Sequence, residues 1–322
     1  MKKLLLILAA FATLVACSKD EVLTFQPAQA IAFSNIQVES PTRATFDGSY
    51  TSGSLRAFEV YGTIANANGV ANIFNQEAVT LNAGVWSYNE AHTQYWIAGN
   101  TYNFTAVADG NVAGASSVAH DKNLMPTAIC VEDASQQRDI LLATSEAIHF
   151  AEYSTPSPVA FAFNHLMAKA KFTVKNTATE DDGYSYKVSN ITIKGTAKSG
   201  SYDIASQSWT EATTPATYDL HFGDAVTMGA EDGAEAESIG YGEAKESNFE
   251  RLLIPTFEGE TETSFVIEFS YELYLNETFV SSETKHLLAE AMLEAGHAYN
   301  FVVELSDLGK PVEVLPDEQG KM

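Results

Sequence analysis

The chain has 322 residues, and its 18 lysines and arginines against 42 aspartates and glutamates give a formal net charge of −24. A charge of this sign and size repels nucleic acid and anionic lipid surfaces and favours solubility. The composition therefore excludes DNA or RNA as a partner. The length is sufficient for two domains of ordinary size, each with its own core.

The amino terminus has the pattern of a lipoprotein signal. Lys2 and Lys3 precede an apolar run at residues 4–15, which is too short to span a bilayer and is correctly placed for a secretion signal. Residues 14–17 look like a lipobox, so we predict a signal peptide over residues 1–17 and membrane contact through lipid on Cys17. Cys130 is then the one cysteine left, and no intrachain disulfide is expected.

The next segment predicts a half-buried strand that ends in an exposed connector. Apolar side chains alternate along it, with one shift of phase, at Ile31, Phe33, Ile36 and Val38. Pro41 cannot donate a ladder hydrogen bond, so the strand is expected to end before Arg43. A trypsin-like protease that cleaved between Arg43 and Ala44 would release this strand and leave a gap in its sheet. A solvated linker arginine fits the same pattern.

Most of the remaining chain reads as short alternating strands separated by Gly, Asn, Asp and Ser turns, which is typical of antiparallel sandwiches. Two prolines make residues 153–158 the best domain boundary. The strict alternation that begins at Val159 resumes after a bulge at Ala170, and this run is expected to cross the core of the second domain. The predicted divisions are residues 18–43, a removable N-terminal segment, residues 44–157 and residues 158–322.

Three segments near the carboxyl end differ in how clearly their sequence patterns predict secondary structure. Thr263–Leu275 alternates over a long span and is the clearest strand in the chain. Residues 284–295 fit either a helix closed by Gly296 or a strand, and the pattern leaves both open. Residues 311–316 form a short alternating tail between prolines, and we expect deletion of residues 311–322 to leave folding intact.

Patterns of catalytic and metal-binding residues are scarce. The seven histidines show no H-x-x-x-H spacing and no serine lies in a G-x-S-x-G elbow, so no metal, cofactor or catalytic residue is assigned and a non-enzymatic role is favoured. His165 fits a satisfied core or interface histidine. Trp86, Trp96 and Trp209 could form a sugar-stacking platform, but core packing is favoured for the first two. Trp209 stays a candidate glycan contact.

A series of short motifs follows in order along nearly the whole chain. They are the lipobox at residues 14–17, the Arg43–Ala44 junction, and residues 58–62, 86–88, 95–96 with Gly99, 102–106, 159–174 and 296–301. Together they resemble the fimbrillin-like proteins of Bacteroidota, which are subunits of type V pili and related surface lipoproteins.

The resemblance implies an all-β fold of two tandem antiparallel β-sandwich domains with transthyretin-like topology. It also implies export as an outer membrane lipoprotein, cleavage after Arg43 by an arginine-specific protease, and a place in a cell-surface fimbrium. Other fimbrillin subunits would be partners through strand exchange, and a host or bacterial surface receptor is a further candidate.

The carboxyl end is shorter than the apolar donor region of subunits that polymerise, which suits a tip or accessory subunit. The rival interpretation is a glycan-binding lipoprotein that stays anchored through Cys17.

Overall fold

The structure is a computed structural model that describes residues 28–39, 55–109, 111–113, 125–129, 138–152, 154–210, 215–219, 237–246, 251–256, 263–307 and 312–316. Among these residues, no helix is long and apolar enough to cross a membrane. Their regular structure consists of strands and of short 3-10 turns at Glu90–His92, Glu180–Asp182 and Leu305–Asp307.

The strands of the described residues are, in chain order, β1 (Phe33–Val38), β2 (Ala57–Asn66), β3 (Gly69–Asn82), β4 (Val85–Ser87), β5 (Asn100–Ala108), β6 (Asn111–Ala113), β7 (Met125–Ile129), β8 (Leu141–Thr144), β9 (Ile148–Phe150), β10 (Val159–His165), β11 (Ala168–Lys175), β12 (Tyr184–Ala197), β13 (Ser199–Asp203), β14 (Ser208–Thr210), β15 (Pro215–Asp219), β16 (Glu237–Ile239), β17 (Ala244–Glu246), β18 (Arg251–Leu253), β19 (Thr263–Leu275), β20 (Thr278–Ala291), β21 (Ala298–Glu304) and β22 (Glu313–Pro316).

These strands form four sheets. An eight-stranded sheet has the order β1-β10-β8-β5-β2-β3-β4, with β9 paired to β5. Two five-stranded sheets have the orders β17-β11-β21-β22, with β18 on β11, and β15-β12-β19-β20, with β16 on β12. The four-stranded sheet has the order β14-β13-β7-β6. Most pairs are antiparallel, while β1 with β10 and β11 with β21 are parallel. The predicted all-β fold rich in antiparallel sheet is therefore confirmed, and the arrangement is consistent with two transthyretin-like sandwiches.

Buried apolar side chains form two clusters. The first cluster lies on one face of the eight-stranded sheet and is rich in aromatic rings from β1, β2, β3, β5 and β10. The second cluster lies mainly between the two five-stranded sheets, where Phe172 faces Phe269 and Phe265 meets Phe301 edge-on at 5.6 Å between centroids. Sheets that bury one face each against a shared core form a sandwich.

The two clusters do not correspond to two consecutive parts of the chain, because Tyr61, Val107, Ile140 and Leu142 also belong to the second cluster. Phe161 and Phe163 of β10 belong to the first cluster, whereas Leu166, which follows β10, belongs to the second. The run that begins at Val159 was expected to cross the second core, and this expectation is confirmed for β11 and wrong for β10. Its alternation is the same in either core, and pairing with β1 and β8 decides which core it enters. The division into residues 44–157 and 158–322 stays a prediction.

The strand predicted at Thr263–Leu275 is confirmed with the same bounds as β19. The ambiguous segment is mostly strand, because β20 pairs with β19 along its length. The C-terminal tail also enters a sheet: β22 pairs with β21, and Val312 is buried with 7% exposed. This placement contradicts the reason for expecting that the tail is dispensable.

Candidate functional site: the N-terminal strand and its slot

Strand β1 contains a bulge. Asn35 has a positive φ of 51°, and the register with β10 shifts between Phe33 and Ile36. A bulge changes the face that the following side chains present, which explains the shift of phase in the sequence. Ile31 and Phe33 are 1% and 4% exposed in the first cluster, while Ile36 and Val38 are half-buried against it. All four residues predicted for this strand therefore contact one cluster.

On one side, β1 is held by β10. The amide of Val159 donates to the carbonyl oxygen of Ala32 at 2.8 Å, and the amide of Glu39 donates to the carbonyl oxygen of Phe163 at 2.7 Å. β1 stands at the end of the strand order in its sheet. Its removal would leave the edge of β10 with unpaired backbone groups.

On the other side, the residues just before β1 pair with the segment between β4 and β5. The amide of Ile31 donates to the Gln94 carbonyl oxygen at 2.8 Å, and the amide of Trp96 donates to the Gln29 carbonyl oxygen at 2.9 Å. The Tyr88 hydroxyl donates to the Ile31 carbonyl oxygen at 2.8 Å. Burial raises the pKa of Tyr88 above its usual value, which keeps this hydroxyl protonated. Sequence reasoning missed this second wall, because pairing between segments so far apart leaves no local signal.

Phe33 is the main apolar anchor of the segment. Its ring stacks on Phe161 with centroids 5.9 Å apart and an interplanar angle of 17°. It also contacts Phe58, Phe74, Tyr88 and Phe104, with centroids between 5.8 and 6.2 Å. Truncating a buried phenylalanine to alanine costs about 3–5 kcal/mol. The ring therefore connects residues 28–39 to four other strands, β2, β3, β5 and β10.

We call the space filled by residues 28–39 the slot. Without them it would expose the aromatic surface around Phe33 and the backbone edge of β10, the two features that an added strand satisfies. The slot is thus physically suited to receive an extended segment with apolar side chains at alternate positions. The other predicted site residues, Cys17, Arg43 and Ala44, lie outside the described residues.

The prediction that Trp209 contacts a glycan is wrong. Trp209 is 2% exposed, and its indole N–H donates to the Leu166 carbonyl oxygen at 2.8 Å. A ring buried in the second cluster cannot stack on a sugar at the surface. Its polar neighbours lie in the turn before β14, as Gln207 does, or on β14 itself, as Thr210 does, so they gave no information on the direction of the ring. Trp96 is also buried and Trp86 is half-buried, as predicted from core packing.

His165 is a partly buried histidine with a partner, in line with the prediction that it is satisfied. Its Nδ1 pairs with the Asp139 carboxylate at the end of β10, where the chain passes from the first cluster to the second. Asp139 is 6% exposed, and its other carboxylate oxygen has no hydrogen-bond partner among the described residues. Within the same described ranges, no group of three or more His, Cys, Asp or Glu side chains could hold a metal ion.

Comparisons with known proteins agree with this architecture. A family model described as fimbrillin-like matches residues 42–316. No curated protein matches the chain. A fimbrial protein from Bacteroides vulgatus has a similar crystal structure, with a TM-score of 0.65, 13% sequence identity, and coverage of 90% of this chain and 99% of that chain. A candidate cell adhesion protein from Bacteroides eggerthii gives a TM-score of 0.52 at 14% identity, with 90% and 96% covered. At these identities, the two structures support the fold alone.

Proposed function

Because this chain belongs to the fimbrillin-like family, we propose that it is a structural subunit of a type V pilus, exported as a lipoprotein and matured by cleavage after Arg43. Family membership supports the fimbrial role, and the finer steps are our proposal. Lipid on Cys17 holds the precursor at the outer membrane. An arginine-specific protease then separates residues 18–43 from the rest.

The observation that carries this proposal is the position of residues 28–39. They precede Arg43, and they fill an edge slot in which Ile31 and Phe33 are buried. Cleavage after Arg43 would therefore cut the covalent link between this segment and the sheet that it completes. An extended segment from a neighbouring subunit then enters the slot, pairs with β10 and replaces the ring of Phe33 with an apolar side chain of its own.

The carboxyl end supports a tip or accessory position. A subunit that continues a filament must offer a free extended donor segment. Here the tail pairs with β21 of its own chain, and Val312 is buried. A subunit of this kind accepts a strand and offers a weak donor, which fits the end of a filament. A surface receptor would then be its outward partner.

The test is the amino terminus of the protein extracted from the cell surface, determined by mass spectrometry. We expect the mature chain to begin at Ala44. Arg43→Lys keeps the charge and should block an arginine-specific protease, which leaves the lipidated Cys17 as the first residue and abolishes assembly into polymer. The control is Arg56→Lys, the same substitution just before β2, and this variant should mature normally.

Polymer at the wild-type yield from the Arg43→Lys chain would contradict the proposal. So would a mature wild-type protein that retains lipid on Cys17, because the slot would then stay filled by its own strand.

A further inference from the structure

The eight-stranded sheet contains a seam on the side of β10 that faces away from β1. β10 pairs with β8 at Asn164 and His165 only, and toward its start it separates from β8 and β9. A groove of about 660 Å³ lies there, bounded by residues 144–146 and 148–150 on one side and residues 154–162 on the other, and it extends over β10 to Asn35 and Gln37 of β1. A volume of this size is in the range of ligand-binding clefts.

The β10 side of the seam presents backbone hydrogen-bonding groups. Val159 and Phe163 direct their peptide groups toward β1, as their hydrogen bonds to Ala32 and Glu39 show. Peptide groups alternate in direction along a strand, so Ala160 and Ala162 direct theirs into the seam. No strand of the described chain pairs with these two residues from that side. A neighbouring strand placed there would find donors and acceptors at every second residue.

The side of the seam formed by β8 and β9 also presents backbone hydrogen-bonding groups. The Phe150 carbonyl oxygen accepts from the Gly99 amide at 2.8 Å, so Phe150 directs its peptide groups toward β5. By the same alternation, His149 directs its own into the seam. Thr144 does likewise, because Ser145 donates its amide to Phe104 on β5. The seam therefore has two backbone walls, and a strand between them would pair on both sides.

The side chains around the seam also suit a strand. On the inner face, Ile148, Phe150 and Phe161 contact the first cluster. On the outer face, Gln37, Ala160 and Ala162 are exposed, and the two alanines leave room for larger side chains. An added strand would place apolar residues inward and polar residues outward, with a period of two.

The charges of the groove and of the whole chain indicate which kind of peptide can bind in the seam. Among the described lining residues there is one carboxylate, Glu146, and no lysine or arginine, and the chain carries a net charge of −24. An acidic segment would be repelled, whereas a neutral or basic one would not.

We propose that the seam between β9 and β10 binds an extended, non-acidic peptide segment of a partner protein by addition of a strand. The backbone walls of this site lie across β10 from the slot of β1, and only its outer rim includes Asn35 and Gln37 of β1. It is present in the chain with β1 in place, so it does not depend on cleavage after Arg43.

The test uses the uncleaved protein and an amidated peptide of about six residues, the length of a typical strand, that alternates valine with threonine or lysine. We expect binding by calorimetry and slowed amide hydrogen exchange at Thr144, His149, Ala160 and Ala162. A peptide of the same composition with its valines contiguous, and an alternating peptide with glutamate in place of lysine, are the controls and should bind at least about tenfold more weakly.

A pair of variants at one position removes or keeps the decisive donor. Ala160→Pro deletes an amide that points into the seam and should weaken binding by about tenfold. Ala160→Ser keeps that amide and should bind as the wild type does. The exchange measurement on the unchanged protein decides the matter if the proline variant does not fold.

Four results would overturn the proposal. The first is slow exchange at Ala160 and Ala162 before any peptide is added, because the seam would then already be closed. The second is equal binding of the contiguous-valine peptide. The third is protection at other strands instead of β9 and β10. The fourth is a neutral oligosaccharide that binds this groove while the alternating peptide does not.

Discussion

The two hydrophobic clusters differ in how their strands are connected along the chain. In the second cluster, β19 and β20 are joined by Asn276 and Glu277, which have positive φ angles of 48° and 65°, and they pair along the whole of β19. Two such residues make the turn that suits the twist of a hairpin. In the first cluster, β1 pairs in parallel with β10, which lies far along the chain.

This difference shows which strand can leave. A central strand such as β19, bound on both sides to β12 and β20, cannot be withdrawn without breaking two ladders. β1 is an edge strand near one end of the chain, and one cut would separate it from the rest. The first cluster therefore depends on β1, a segment that is not joined to its partner strand by a short turn.

The largest expected effect comes from removing β1. A chain that begins at Ala44 should lose more than about 5 kcal/mol of its free energy of unfolding, because Ile31 and Phe33 leave the first cluster. Hydrogen exchange should rise in β10 and β5 and stay low in β19. A peptide of residues 28–39 added in trans should restore protection, and the same peptide with Phe33→Ala should not. An equal loss of amide protection in both clusters would contradict the conclusion that only the first cluster depends on β1.

The junction between the clusters should be sensitive to Asp139. Asp139→Ala leaves His165 without its partner in a largely buried position, and we expect a loss of about 3–5 kcal/mol. Asp139→Asn keeps an oxygen acceptor and should cost less. Chemical denaturation followed by fluorescence measures both changes. If Asp139→Ala leaves the free energy of unfolding unchanged, the pair of Asp139 and His165 does not stabilise the junction between the clusters.

A smaller effect is expected at the carboxyl end. Removing residues 312–322 deletes β22, buried Val312 and half-buried Val314, and should cost about 2–3 kcal/mol. Unlike removal of β1, it should raise exchange in β21 and leave the first cluster unchanged. A control that removes only residues 317–322 should keep the wild-type stability. An unchanged melting temperature after the larger deletion would restore the view that the tail is dispensable.

The smallest effect concerns Glu304 at the end of β21. Burial of the Glu304 carboxyl would raise its pKa, but hydrogen bonds from Ser306 and Thr177 outweigh burial and lower the pKa below its usual value. A depressed folded-state pKa adds stability above the unfolded-state value of about 4.5, and this stability is lost as the pH falls through the folded-state pKa. Glu304→Gln should remove that part of the acid dependence in a denaturation series between pH 6 and about 3. A pH dependence identical to the wild type would contradict this assignment.

Particular strands explain what could be predicted. β19 was predicted with its bounds because it is half-buried and alternates without interruption, so one face of its sequence records the core. β20 was ambiguous because apolar residues occur on its exposed face as well as on its buried face. Leu288 is exposed, and so is Met292 just after the strand, and apolar residues on both faces also fit a helical period. Trp209 was misjudged because polar neighbours on the same short strand and in the turn before it do not show that its ring points into the core.

The sequence by itself determined that this chain is all-β and that Ile31, Phe33, Ile36 and Val38 belong to one extended segment, because the alternation of apolar side chains is a local property. Only the tertiary structure decided that this segment lies between β10 and the Gln94–Trp96 segment, that β10 belongs to the first cluster, and that the tail completes the second. Pairing between distant segments depends on backbone hydrogen bonds and on the shape of the core. Every strand offers the same backbone groups, so the choice of partner leaves no mark in the local pattern.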